Sequence, residues 1–243
     1  MSHRLATADG ITLWADHYQS GDRQAVIVVC HGFFQHRRTP RFRRIAERFV
    51  RAGYDVVVFD FRGHGQSGGW FTFGQRETAD LQTVLEFVRP QYHKLGVLAF
   101  SIGASIAIHT LANTHQADGL IAVSAVADPD AITPTRVWWP GAIRSWWSQR
   151  RIRRSFRALT VHYGKPKAVE VVDRVSPIPV LFIHGTKDWL VDIRHSQPLY
   201  RCAGEPKALY CVEGGRHAEE LFEDDPDGFI RVCCEWFQDV FEQ

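Results

Sequence analysis

Continuous apolar runs alternate along the chain with stretches of helical periodicity, and the alternation predicts most of the secondary structure. Residues 3–20 read as a β-hairpin turning at Asp9-Gly10, with Ile11, Leu13, Trp14 and Tyr18 along its second arm. The runs at 25–30, 54–59, 95–100, 119–124, 180–183 and 208–212 are apolar on both strand faces, as strands in the middle of a parallel sheet must be. Between them, residues 40–51 place Phe42, Ile45, Ala46, Phe49 and Val50 on one helical face with arginines opposite, and Gly53 stops the helix. A second helix is predicted over 75–89, with Leu81, Leu85 and Val88 inward. A third starts at Ile102 and carries Ile106, Ala107, Thr110 and Leu111. Phe229, Val232, Trp236 and Phe237 mark a closing helix. Strands that alternate with helices predict an α/β fold with a doubly wound, mostly parallel sheet. One connection breaks the rhythm. Residues 127–176 are far longer than the ~2–6 residues usual there, so they are expected to be an inserted cap on a core formed by 1–126 and 177–243.

The strand at 95–100 runs into Ser101, and a helical pattern begins at once. Small residues, Ala99 and Gly103, stand two positions before and two after. A sharp strand-to-helix corner needs both to avoid clashes, and it would lift the Ser101 hydroxyl above the sheet edge. The helix opening at Ile102 aims unpaired N–H groups and a positive dipole end at the same place. The bland alternative makes Ser101 a helix N-cap. Ser105, one turn inside the helix, reads as a packing residue. A serine hydroxyl needs a base, and the base a carboxylate to orient it. Asp188 follows the strand at 180–183, and His217 follows the strand at 208–212. Sites in open α/β sheets collect beyond such strand ends. The chain order is therefore Ser, Asp, His.

Several motifs occur together: His31-Gly32-Phe33, Asp60-x-Arg62-Gly63-His64-Gly65-x-Ser67, Ser101-x-Gly103, His184-Gly-x-x-Asp188 and Gly215-x-His217. On these the chain resembles the α/β-hydrolase superfamily, its serine esterase and lipase-like members in particular, over most of its length. The resemblance implies an α/β-hydrolase fold. It further implies Ser101 as nucleophile, His217 as general base and Asp188 as its orienter, with the N–H groups of Phe33 and Ile102 as the oxyanion hole and Phe34 as the alternative second donor. The superfamily's corner is usually Gly-x-Ser-x-Gly, and here Ala99 takes the first position. Asp192 and Asp128 are fallback acids, the second because some members place the acid there. His31 and His184 are expected to bond their own loops. Asp60 and Arg62 are expected to staple theirs as a pair.

A chain of 243 residues, 45% of them hydrophobic, can bury one large core. The formal charge of +2 offers no argument for nucleic acid. Five cysteines, an odd number in mostly apolar surroundings, are expected to be reduced thiols. No apolar stretch approaches the ~18 residues of a membrane span, and the first residues lack a signal-peptide core, so a soluble, cytoplasmic protein is expected. Twelve scattered histidines show no metal-binding spacing, and no phosphate loop occurs, so neither metal nor cofactor is expected. The cap segment holds Trp138, Trp139, Trp146 and Trp147, half of the eight tryptophans, beside Arg144, Arg150, Arg151, Arg153, Arg154 and Arg157. With Phe34 and Trp189, these tryptophans are the candidate substrate contacts, an apolar wall suited to acyl or aryl groups. The arginines would suit an anionic group, a membrane surface, or simply solvent. The expected function is a serine hydrolase of a small-molecule carboxylic ester or thioester. The alternatives are a peptidase or amidase of the same fold, and a ligand-binding sensor with little turnover. Oligomeric state is not legible in the sequence.

Overall fold

Gly10 adopts a φ of 78°, open to glycine, and reverses the chain between β1 (Ser2–Ala6) and β2 (Thr12–Tyr18), an antiparallel pair. The six predicted apolar runs then form β3 (Ala25–Cys30), β4 (Asp55–Phe59), β5 (Lys94–Phe100), β6 (Gly119–Val123), β7 (Val180–Gly185) and β8 (Lys207–Val212). These six run parallel, and β2 joins them antiparallel to β4, in the order β1-β2-β4-β3-β5-β6-β7-β8. The structure, a computed structural model, describes residues 1–21, 24–132, 156–158 and 166–242.

Because successive strand residues point to opposite faces, each strand feeds two cores. Ile27, Val29, Val56, Val58, Leu98, Phe100, Ile121 and Val123 pack against α1 (Pro40–Arg51) and the last helix, α6 (Pro226–Phe241). Val26, Val28, Val57, Phe59, Val97, Ala99, Leu120 and Ala122 face α2 (Glu77–Val88) and α3 (Ile102–Thr114) on the other side. Phe237 of α6 lies directly on the sheet where Gly96 and Gly119 leave room. A Cβ built on Gly96 would meet its ring at 2.5 Å. Burying such a ring contributes roughly 1.5–3 kcal/mol, and two glycines in adjacent strands make the seat.

The expected doubly wound, mostly parallel sheet is present, and it gathers the ends of β3, β5, β6, β7 and β8 on one edge. Two short helices lie outside the predicted set, α4 (Ser196–Cys202) and α5 (Glu220–Asp224), each of fewer than eight residues and so too short for a periodicity to show. Asp60 and Arg62 do not pair with each other. Asp60 accepts from the guanidinium and backbone N–H of the buried Arg37, while Arg62 bonds Asp80 and Asp9. Both residues pin the loop after β4, but to separate partners. Of the expected cap, residues 156–158 lie against that loop: Arg157 exchanges backbone bonds with Gly63 and Phe71, and its guanidinium reaches the Ser67 carbonyl at 2.6 Å. Trp138, Trp139, Trp146, Trp147 and the arginines 144, 150, 151, 153 and 154 lie outside the described residues. Among the described residues no helix is long and apolar enough to cross a membrane.

Candidate active site

Ser101 closes β5 with φ 54° and ψ −124°, a conformation a serine adopts only when its surroundings enforce it. Its N–H is held by the Val123 carbonyl at 2.8 Å, and α3 starts at the next residue. The corner works because Gly103 has no side chain. A Cβ there would stand 2.4 Å from the His31 carbonyl oxygen, so α3 packs directly on the loop after β3. Ala99, where a glycine is usual, is fully buried between Cys30 and Ala122 and fits without strain. The Ser101 side chain does not cap α3, which removes the N-cap reading. Ser105 bonds the backbone of Val126 through its hydroxyl, as a packing residue would.

The loops after β7 and β8 approach Ser101 through close backbone contact. A Cβ on Gly185 would meet the Gly215 carbonyl at 2.2 Å, and the Lys187 N–H bonds that same carbonyl at 2.9 Å. Asp188 and His217 come together as a result. The Asp188 oxygens stand 2.9 and 2.8 Å from Nδ1 of His217, and its Nε2 stands 3.1 Å from Oγ of Ser101. A carboxylate only accepts, so Nδ1 carries the hydrogen and Nε2 is left to accept the serine proton. Ala218, at φ 47°, donates its N–H to Ser124 Oγ at 3.0 Å and anchors the histidine loop on β6. All three side chains are at least nine-tenths buried.

Burial pushes the Asp188 carboxyl up, but hydrogen bonds from His184 and His217 and from the N–H of Val191 outweigh it and hold the group well below the usual carboxylate range. Burial likewise pushes His217 down. The hydrogen bond and charge of Asp188, with the charges of Glu219 and Glu220 behind it, outweigh that and raise the imidazole above its ordinary value. The pair is thus a fixed carboxylate beside a histidine that readily holds a proton.

The N–H of Phe33 lies in the loop after β3, which packs on α3, and that of Ile102 opens α3 directly after Ser101. Gly32 brings the first one close: a Cβ on it would lie 3.3 Å from Cβ of Ser101. Phe34, at φ 59°, lies tilted against Phe33 with ring centroids 4.1 Å apart, and both rings meet Phe156. Phe71 and Phe73 extend this aromatic wall. Trp189 lies 5.9 Å from the His217 ring and donates its indole N–H to Glu220.

The fallback acids are elsewhere. Asp128 pairs with Lys167, and Asp192 bonds Arg194. His31 bonds its own loop through the Gly32 carbonyl, and His184 bonds the Val191 carbonyl. His184 also approaches the second oxygen of Asp188 at 3.4 Å, a contact that sequence reasoning missed. A histidine four residues before the acid was the available signal. Glu219, buried beside Gly32, was missed too, and an acidic pair after His217 looks in sequence like a solvated face.

Residues 21–169, more than half the chain, match the model of the serine aminopeptidase S33 hydrolase family. The chain belongs to that family. Its members share the α/β-hydrolase fold, and the matched span holds Ser101 but ends before Asp188 and His217. The uncharacterized protein YqkD of Bacillus subtilis is 29% identical over 227 residues, 88% of this chain and 72% of that one. YfhR of Escherichia coli K12, also uncharacterized, is 28% identical over 181 residues, and the chain spans only 57% of its length. A monoacylglycerol lipase of Mycolicibacterium smegmatis is 32% identical over 98 residues, 40% of this chain and 32% of that one. The solved structure of the Pyrococcus furiosus esterase Pf2001 superposes with a TM-score of 0.80 at 22% identity, covering 98% of this chain and 91% of the esterase. At that identity the likeness shows the fold. Membership of that family makes this chain a hydrolase of the α/β-hydrolase class.

Proposed function

We propose that the protein is a serine hydrolase that cleaves carboxylic esters through an acyl-enzyme on Ser101. The observation that carries this reading is the unbroken relay from Asp188 through His217 to the hydroxyl of Ser101, at a corner whose backbone is strained. In the first half-reaction Oγ attacks the ester carbonyl carbon while Nε2 of His217 takes its proton. Negative charge gathers on the carbonyl oxygen, where the N–H groups of Phe33 and Ile102 would receive it. Each preorganised donor of this kind is worth roughly 3–4 kcal/mol. The imidazolium, stabilised by Asp188, returns its proton to the departing alkoxide, and the alcohol leaves. Water then attacks the acyl-enzyme with His217 again as base, which restores Ser101 and releases the acid.

The ester preference is supported by the aromatic wall of Phe33, Phe34, Phe71, Phe73 and Phe156 beside the oxyanion backbone, which suits an acyl or aryl group better than a peptide. The lipase and esterase names of the similar proteins point the same way. We read residues 127–176 as an inserted cap, of which 156–158 bond the loop after β4. The family's description as serine aminopeptidases favours a second reading, an amidase or peptidase. Turnover of p-nitrophenyl esters of increasing acyl length, set against aminoacyl p-nitroanilides, separates the two. Ester turnover at least 100-fold above anilide turnover, as kcat/KM, is expected. Anilide turnover equal or greater would replace the ester reading with the peptidase one.

A further inference from the structure

Glu219 sits two residues beyond His217, is only 5% exposed, and precedes α5 without using its side chain to cap that helix. The side chain turns the other way. Its Oε1 accepts the Gly32 N–H at 3.3 Å, and a Cβ on Gly32 would stand 2.9 Å from that oxygen. The second oxygen faces Arg41 of α1 at 4.0 Å, and Arg41 is itself bonded to Glu223 at 2.7 Å. A buried carboxylate is costly unless hydrogen-bonded and paired. This one is held for a backbone N–H beside Ser101.

The other side of the same residue is held as well. Nε2 of His31 accepts the Phe61 N–H at 3.1 Å, so the hydrogen of that neutral ring is on Nδ1, which donates to the Gly32 carbonyl at 2.8 Å. Burial keeps His31 neutral, with its pKa lowered to about 4. In a trans peptide the carbonyl of one residue and the N–H of the next point in opposite directions. Fixing the N–H and the carbonyl of Gly32 therefore fixes where the Phe33 N–H points.

Resting on the reading of the protein as a serine hydrolase, we propose that Glu219 is a positioning residue for the oxyanion backbone. As the acceptor for the Gly32 N–H, it ties the histidine loop to the His31–Gly32 peptide and, with His31 holding the Gly32 carbonyl on the other side, aims the Phe33 N–H at the developing oxyanion. It touches no reacting atom. Its work is done through hydrogen-bond reach rather than charge, which gives the variants a distinctive order. Glutamine keeps both reach and an acceptor oxygen. Aspartate keeps the charge but falls one methylene short.

The test measures kcat and KM for p-nitrophenyl butyrate, and the second-order rate of phosphonylation by a fluorophosphonate, in wild type and in Glu219→Gln, Glu219→Asp and Glu219→Ala. Thermal unfolding of each variant establishes that it is folded. Glu219→Ala and Glu219→Asp are expected to lose about 30-fold in kcat and in labelling rate with KM changed by less than about 3-fold, a fraction of the ~10²–10³ that losing a whole oxyanion donor costs. Glu219→Gln is expected to stay within about 3-fold of wild type, the margin left by a neutral acceptor. A role in charge or in general stability would leave Asp the better substitute, and that order overturns the proposal. So does wild-type-like kcat in both Ala and Asp. If Ala fails to fold, the Asp and Gln pair carries the same contrast alone. A wild type that neither labels nor turns over would instead overturn the serine-hydrolase reading beneath it.

Discussion

Replacing Asp188 by asparagine changes one atom, and the surroundings of the carboxylate decide what that atom does. Oδ1 accepts the N–H groups of Leu190 at 3.0 Å and Val191 at 2.8 Å. Backbone donors cannot become acceptors, so the amide oxygen of the introduced side chain must stay there and its nitrogen takes the place of Oδ2. That place is 2.8 Å from Nδ1 of His217. The new N–H finds an acceptor only if Nδ1 gives up its hydrogen, which moves it to Nε2. His217 then presents an N–H to Ser101 and cannot take the serine proton. The lost quantity is the correct tautomer together with stabilisation of the imidazolium, and in the serine-protease triad the same swap costs about 10⁴-fold in kcat. By the usual conversion that is ~5.5 kcal/mol of barrier. The expected result for Asp188→Asn is therefore a kcat for p-nitrophenyl butyrate about 10⁴-fold below wild type. The thermal midpoint should be little altered, because the backbone bonds of the loop survive. A variant that retained a tenth of wild-type kcat would refute the tautomer argument, and with it the role given to Asp188.

The raised pKa of His217 predicts the pH dependence: the base works only when neutral, so kcat/KM should rise with pH through one ionisation centred above the ordinary histidine value of 6.5, and a midpoint below it would contradict the electrostatics drawn for the site. Gly103→Ala puts a methyl 2.4 Å from the His31 carbonyl, a backbone atom with little freedom to move, so a urea titration should show a loss of about 1–3 kcal/mol or more and esterase activity should fall with it. Gly96→Ala collides with the Phe237 ring far from Ser101; a similar loss of about 1–3 kcal/mol is expected in the titration, with KM unchanged. Ala99→Gly restores the superfamily's usual residue, and it should leave kcat within about 2-fold while costing about 0.5–1 kcal/mol of stability, because glycine in a strand orders at greater entropic expense.

The sheet was legible because its central strands are apolar on both faces, a pattern few other structures need. Ser101, Asp188 and His217 were legible for a related reason: each stands just past such a strand, so locating the strands located the residues. What escaped were contacts between side chains distant in sequence. Nothing near Asp60 points to Arg37, 23 residues earlier, as its partner. Glu219 reaches Gly32 across 187 residues, and only the folded sheet edge brings the two together. His184 was read as bonding its own loop and does so, but its approach to Asp188 follows from the extension of β7 through Gly185, two residues beyond the apolar run. Helices shorter than two turns left no periodic trace.

The claim on which the rest depends is that Ser101 is the nucleophile, and mass spectrometry tests it most directly. Wild-type protein incubated with a fluorophosphonate should gain one adduct, located by peptide mapping on Ser101, and ester turnover should vanish in step with labelling. Ser101→Ala should neither label nor turn over ester. An adduct on another residue, or undiminished turnover by Ser101→Ala, would contradict the account.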